Sequence, residues 1–178
     1  MSSNPRHPST FSGILSQLWP YQRNLTLMKS CNVSYEKRMA LFHEICRGKA
    51  LRVTPQRLEV FSELARACDH PSAETIHRRV SKRMPTITLD TVYRTLATLE
   101  NAGLVLRASV VGGCQRFEAN TDRHQHFVCR ECGVVTDVYS GRLNRPTLDR
   151  DLPQGFVVDS IQIEIRGTCP RCTPGKGH

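Results

Sequence analysis

Thr88-Leu89-Asp90-Thr91-Val92-Tyr93-Arg94-Thr95-Leu96-Ala97-Thr98-Leu99-Glu100-Asn101 is the stretch that decides the fold of the first half of the chain. At a helical 100° per residue, Leu89, Val92, Leu96 and Leu99 fall within a sector of about 80°, the width of a buried stripe. Arg94 points directly away from that stripe, flanked by Asp90, Thr91, Ala97 and Thr98, with Tyr93 at the edge. One arginine among small polar residues suits a helix that must enter a groove. The competing reading is an ordinary solvated face.

What surrounds this helix gives it a context. Downstream, Gly103 stops it, and Leu104–Ser109 and Gln115–Ala119 read as two strands around the turn Val110-Val111-Gly112-Gly113. Upstream, Tyr35–Cys46 is periodic, with Met39, Phe42, His43 and Cys46 on one side, and Gly48 ends it. Thr54-Pro55 is an N-cap followed by proline in the first turn of a second helix, whose apolar face is Leu58, Phe61, Leu64 and Ala65. Ser72 caps a third, with Ala73, Ile76 and Val80 inward and Met84-Pro85 as its end. Helices followed by a β-hairpin make a winged helix, with Thr88–Asn101 as its reading helix. The expected domain spans 34–117. Residues 1–33, rich in Ser, Pro, Asn and Thr, are expected to be a disordered extension.

After residue 117 the pattern changes. Phe127–Cys129 and Val134–Tyr139 are strand-like, Arg142–Arg150 could be a short helix interrupted by Pro146, and Phe156–Ile165 alternates as a strand. Residues 118–178 are therefore expected to form a small α/β domain. The whole chain is of the α+β class.

The densest chemistry lies in this second part. His124-Gln125-His126-Phe127-Val128-Cys129-Arg130-Glu131-Cys132-Gly133 holds two histidines and two cysteines within nine residues. A second knuckle, Cys169-Pro170-Arg171-Cys172, follows after 36 intervening residues. Two such pairs supply four thiolates, which suits a closed tetrahedral structural zinc, with an iron–sulfur cluster as the competitor. A domain this small needs such a staple. His124 and His126 cannot be further ligands of that ion. An isolated His-x-His pair is more often a surface or core feature, but on a strand both rings share a face. Glu118, Asp137 and His70 extend the set to three imidazoles and two carboxylates with no thiolate, a donor set that prefers Fe(II) or Mn(II). An ion held by ligands from both domains would fix the angle between them.

Composition agrees with two different halves. The net charge of +9 arises entirely within residues 1–116, whereas residues 117–178 balance. A basic first part beside a neutral second part suggests a polyanionic partner for the first part alone, against the blander reading of a merely basic surface. Four of the eight cysteines sit in knuckles, a usage that fits a reducing compartment. Cys31, Cys46, Cys68 and Cys114 lack ligand spacing and are expected to be small buried or half-buried residues. No apolar run reaches membrane-spanning length, and Phe11–Trp19 makes a poor signal peptide. A cytoplasmic protein with no membrane partner is expected.

These features together resemble the ferric uptake regulator (Fur) family over about residues 35–172. The resemblance is carried by Leu51-Arg52-Val53-Thr54-Pro55-Gln56-Arg57, His70-Pro71-Ser72-Ala73, Thr91-Val92-Tyr93-Arg94-Thr95-Leu96, Gly103-Leu104-Val105, Arg116-Phe117-Glu118, the His124–Gly133 stretch and Cys169-Pro170-Arg171-Cys172. It implies a homodimeric, metal-dependent repressor, not an enzyme, which binds a palindromic double-stranded DNA operator. Cys129, Cys132, Cys169 and Cys172 match the ligands of a structural zinc, one per subunit. His70, Glu118, His124, His126 and Asp137 match the ligands of a regulatory Fe2+ or Mn2+. Tyr93 and Arg94 match DNA-contacting positions of the reading helix, and Arg52 matches a basic residue that enters the minor groove.

The resemblance also bears on the signal. Asp137 stands where iron sensors carry Glu and peroxide sensors of the PerR type carry Asp. Glu118 departs the other way, since PerR-type proteins usually carry Asp there. Arg123 and Ile161 stand where a further site of some iron sensors has histidines. The first expectation is a repressor sensing peroxide through bound Fe(II), with His70 or His124 oxidised. The second is an iron- or manganese-responsive repressor of metal uptake without histidine oxidation. The alternative of another class, a zinc-ribbon interaction protein, leaves the Arg94 helix and the charge asymmetry unexplained. A zinc deaminase would need His-x-Glu, where His124 is followed by Gln125-His126.

Overall fold

The computed structural model describes residues 34–143, 152–158 and 161–173. Among the described residues, four helices come first: α1 (Tyr35–Gly48), α2 (Pro55–Arg66), α3 (Ala73–Val80) and α4 (Leu89–Asn101). Each begins the same way. Ser34, Thr54, Ser72 and Thr88 accept a hydrogen bond through the side chain from the backbone N–H three residues on, at Lys37, Arg57, Thr75 and Thr91. Such a cap satisfies one of the otherwise unpaired N-terminal donors and contributes about 1 kcal/mol. Gly103, at φ +77°, ends the α4 segment in a conformation that glycine adopts without steric cost.

The helices enclose one core. Phe42 stacks on Phe61 with centroids 4.7 Å apart, and Val60, Leu64, Ile76, Val80, Val92, Leu96 and Leu99 close around them. The expected stripe of α4 is thus the buried one, with Thr95 also inside and Leu89 half-buried at its margin. On α1 the apolar side differs from expectation. His43 is exposed, and Arg38 is buried instead, its guanidinium donating to the Ala65 carbonyl at 2.8 Å.

Strands β1 (Leu106–Val111) and β2 (Cys114–Glu118) pair antiparallel. Their turn is only Gly112-Gly113, at φ +58° and +78°, tighter than the four-residue turn expected. Two left-handed residues match the twist of a two-residue hairpin.

A second sheet has the order β4-β3-β5, from β3 (Gln125–Cys129), β4 (Val135–Val138) and β5 (Glu164–Gly167). β4 runs antiparallel to β3 and β5 parallel to it. The strand expected over Phe156–Ile165 is corrected to this much shorter β5. Glu164–Gly167 pairs with His126–Cys129, and β3 reaches no further back to take hydrogen bonds from residues 156–158. Phe156 and Val157 are left 67% and 87% exposed. The short helix expected at Arg142–Arg150 lies almost wholly outside the described residues, as do the 1–33 extension and Cys31. Among the remaining cysteines without ligand spacing, Cys46 is buried as expected. Cys114 is exposed, because it begins β2 directly after the turn, and Cys68 is exposed in the α2–α3 loop and is not a free thiol. No helix among the described residues is long and apolar enough to cross a membrane.

Candidate functional site

The cysteine knuckles meet at one end of the second sheet. Cys129 ends β3, Cys132 follows in the turn, and Cys169 and Cys172 follow β5, which lies beside β3. One sulfur from each residue lies within 4.8 Å of all the others. Gly133 makes the return possible at φ +68°, its N–H donating to the Cys129 carbonyl at 3.0 Å. The Cys169 N–H donates to Cys129 Sγ at 3.3 Å. Backbone donors from Cys132 and Cys169 lower Cys129 to about 6. The neighbouring thiols, Cys132 first and then Cys169, push Cys172 up to about 12. Four thiolates this close repel one another, so the arrangement fits a dication of soft preference at its centre.

The second cluster is drawn from four separate places. His70 stands in the loop between α2 and α3, Glu118 ends β2, His124 and His126 bracket the start of β3, and Asp137 sits on β4 directly opposite His126. His124 lies one residue before the strand rather than on it, yet its ring still joins that of His126. The three imidazoles present Nε2 to one point. His70 Nε2 is 2.7 Å from Asp137 Oδ1, His124 Nε2 is 3.0 Å from Glu118 Oε2, and His126 Nε2 is 3.1 Å from Glu118 Oε1. The Nε2 atoms of His124 and His126 are 3.0 Å apart. His70, Glu118 and Asp137 are each less than a tenth exposed. His70 adopts φ +46°, a strained conformation for a residue with a side chain, and such strain concentrates at functional sites.

Charge is concentrated here as well. Burial opposes the charged form of His70, but hydrogen bonds to Asp137 and then Glu118 outweigh it and raise His70 to about 9. Burial likewise opposes ionised Glu118, yet hydrogen bonds from His124, His126 and His70 hold it well below the usual carboxylate range. His70 Nδ1 is buried without a hydrogen-bond partner. Buried polar atoms without partners are costly. Three imidazole nitrogens and two carboxylates converging on one point offer what a divalent ion of the Fe(II) or Mn(II) type takes.

The outward face of α4 is open. Arg94 is 81% exposed at the side chain and pairs with Asp90 one turn earlier, at 2.9 Å. Tyr93 is half-exposed and donates through its hydroxyl to Glu74 at 2.5 Å. Arg52 is exposed ahead of α2, and its carbonyl accepts from Arg57 Nη1 at 2.6 Å. Arg94 shares a groove with Thr54, Gln56, Arg57, Thr91 and Thr98. Gln56 and Arg57 line this groove beside Arg94, and only their place in the first turn of α2 marks them in the sequence. Asn120 and Tyr139 carry no such mark. They stand behind Asp137 and His124, and no ligand spacing marks them.

With this geometry in view, likenesses to known proteins carry weight. The profile of the ferric uptake regulator family matches residues 48–166. The peroxide operon regulator of Bacillus subtilis is 28% identical over 145 residues, covering 82% of this chain and 99% of that protein. Among solved structures, the Campylobacter jejuni peroxide stress regulator superposes with a TM-score of 0.54 at 27% identity, covering 73% of this chain and 98% of that one. A ferric uptake regulator from Pseudomonas aeruginosa, solved with manganese, gives a TM-score of 0.58 at 28% identity, with 72% and 97% covered.

Proposed function

The chain belongs to the ferric uptake regulator family, whose members are transcriptional regulators and not enzymes, and from that premise we propose that it is a metal-dependent repressor that senses peroxide. In this reading the winged helix of residues 34–117 binds a palindromic double-stranded operator in the cytoplasm, and residues 118–178 form the homodimer. Tyr93 and Arg94 contact the major groove and Arg52 the minor groove. Cys129, Cys132, Cys169 and Cys172 hold the structural zinc. His70, Glu118, His124, His126 and Asp137 hold the regulatory ion. The zinc-ribbon alternative has no ground left once the family is known.

The observation that carries the proposal is the convergence of His70 and Glu118 with His124, His126 and Asp137. His70 lies in the α2–α3 loop of the winged helix and Glu118 ends its wing strand β2 at the domain boundary, whereas His126 and Asp137 lie on the second sheet and His124 just ahead of it. Holding these side chains together fixes the angle at which α4 is presented to DNA. Bound ferrous iron would lend an electron to open the O–O bond of peroxide and recover it from the oxidised ring, so that both electrons peroxide takes up come, in net, from the histidine. His124 or His70 would gain one oxygen atom on a ring carbon, while the other oxygen of the peroxide leaves as water. A ring altered in this way no longer serves as a ligand, the two halves are released from each other, and operator affinity falls. Asp137 and the kinship with peroxide regulators support this reading.

Glu118 favours a second reading, an iron- or manganese-responsive repressor that binds its ion reversibly without histidine oxidation. Operator binding measured with Fe(II) and with Mn(II), each before and after peroxide, separates the two. Loss of binding confined to the iron form is expected. Equal behaviour of both forms would overturn peroxide sensing in favour of the metal response.

A further inference from the structure

The two oxygens of Asp137 face different partners. Oδ1 looks into the histidine cluster, 2.7 Å from His70 Nε2, 3.7 Å from His124 Nε2 and 3.9 Å from His126 Nε2. Oδ2 looks the other way, toward the Tyr139 hydroxyl at 3.4 Å. That hydroxyl accepts a 2.8 Å hydrogen bond from Asn120 Nδ2. The Asn120 amide cannot turn over without loss, because its Oδ1 accepts from the Asp122 N–H at 3.2 Å. With Asn120 as donor, the phenol keeps its own proton free for Asp137. Asn120 is 3% exposed, so water does not replace it easily. The Tyr139 ring also lies along the His124 ring, centroids 5.5 Å apart at 33°. One phenol thus backs a carboxylate and an imidazole of the cluster without adding an atom to it.

We propose that Tyr139, oriented by Asn120, is a positioning residue that restricts Asp137 to offering one oxygen, Oδ1, to a divalent ion, and so keeps a ligand position open. The inference rests on reading the cluster as a divalent-metal site. A carboxylate with both oxygens free can close onto an ion with both. A partner on Oδ2 opposes that rotation, as outer hydrogen bonds orient the ligands of metal sites generally. An open position is what lets a small oxidant reach a bound ion. Without the phenol, the same five ligands would enclose the ion more fully and react less.

Cobalt(II) tests this, because its visible bands weaken as its coordination number rises. The zinc-loaded full chain is titrated with Co(II) as wild type, His124→Ala, Tyr139→Phe and Asn120→Ala. Wild type should give a band that His124→Ala abolishes. Tyr139→Phe should bind one Co(II) with about half the band intensity or less, as a sixth ligand closes in. Asn120→Ala should move in the same direction and serves if Tyr139→Phe does not fold. The same variants in the iron form should oxidise histidine more slowly. A wild type with no His124-dependent band would overturn the metal-site reading itself. A His124-dependent band that is unchanged or stronger in a folded Tyr139→Phe or Asn120→Ala protein would overturn the positioning role alone.

Discussion

A Cβ on Gly133 would stand 2.7 Å from Cγ1 of Val111, so the turn of the first cysteine knuckle and the tip of the β-hairpin are in direct contact. Beside this contact, the Ser109 hydroxyl donates to Glu164 on β5. The wing therefore rests on the second sheet at two points.

Gly133→Ala should be destabilising for two reasons: φ +68° disfavours a side chain, and the added methyl meets Val111. A loss of about 2 kcal/mol is expected, seen as a fall of roughly 4–8 °C in thermal midpoint. Val111→Ala placed in the same protein should recover part of that loss. An unchanged midpoint in Gly133→Ala would mean that wing and knuckle do not touch in solution.

The four-cysteine cluster should behave as a staple. Cys172→Ser leaves three sulfurs, and zinc bound by such sites contributes its binding free energy directly to folding. The variant should lose zinc and the stable dimer together, measured by metal analysis and sedimentation. A dimer that persists with an unchanged melting curve would remove the structural role.

How much of this was legible in the sequence depended on the range of the contacts. Helix starts are local: Thr54-Pro55 and the stripe of Leu89, Val92, Leu96 and Leu99 needed only neighbouring residues, and both stand as read. The cysteine cluster was legible because knuckle spacing is also local. The length of β5 was not, because alternation at Phe156–Ile165 says that a face is apolar but not which strand takes its hydrogen bonds. His43 was misplaced on α1 because Arg38, a charged residue, takes the inward position by reaching the Ala65 carbonyl. The histidine–carboxylate cluster could be assembled as a list of residue types. That His126 faces Asp137 across the β3–β4 pair, and that Tyr139 and Asn120 stand behind it, follows from strand register and tertiary contact.

Arg94 should carry specificity and Arg52 affinity. Arg94 is held only by its exposed pair with Asp90, worth a few tenths of a kcal/mol at most, so it is free to turn toward a base edge. Arg94→Ala should keep fold and metal content but lose about 1–3 kcal/mol of discrimination between operator and random DNA. Arg52→Ala should weaken both and flatten the salt dependence. Competition binding at several salt concentrations distinguishes them, and undiminished discrimination in Arg94→Ala would refute the reading-helix assignment.

Metal loading of the histidine cluster should release protons. His70 in the folded, metal-free chain titrates at about 9, above its ordinary value near 6.5. A raised pKa stabilises the fold fully below about pH 6.5, and that stabilisation is lost as pH rises through about 9. At pH 7.5 His70 therefore carries a proton that an ion must displace. Mn(II) affinity should rise between pH 6 and 9, with at least about one proton released per ion. Calorimetry in two buffers of different ionisation enthalpy measures that release, and none at pH 7.5 would contradict the protonated His70.

Asp137 is where the choice of signal should be most sensitive. Aspartate and glutamate both supply a carboxylate, so both can hold a divalent ion. The extra methylene of glutamate lets its oxygens advance toward the histidines, whereas Asp137 reaches them with Oδ1 while Oδ2 stays with Tyr139. Asp137→Glu should therefore keep metal-dependent operator binding while closing the position that peroxide needs. Iron-loaded wild type exposed to peroxide should gain one oxygen atom on His124 or His70 and lose its operator. The variant should lose most of that oxidation, by about tenfold or more, and stay bound. Peptide mass spectrometry beside a mobility-shift assay reads both effects. Equal oxidation in Asp137→Glu would take the decision away from this side chain and leave Glu118, the one carboxylate that departs from the peroxide-sensor pattern, as the next to exchange.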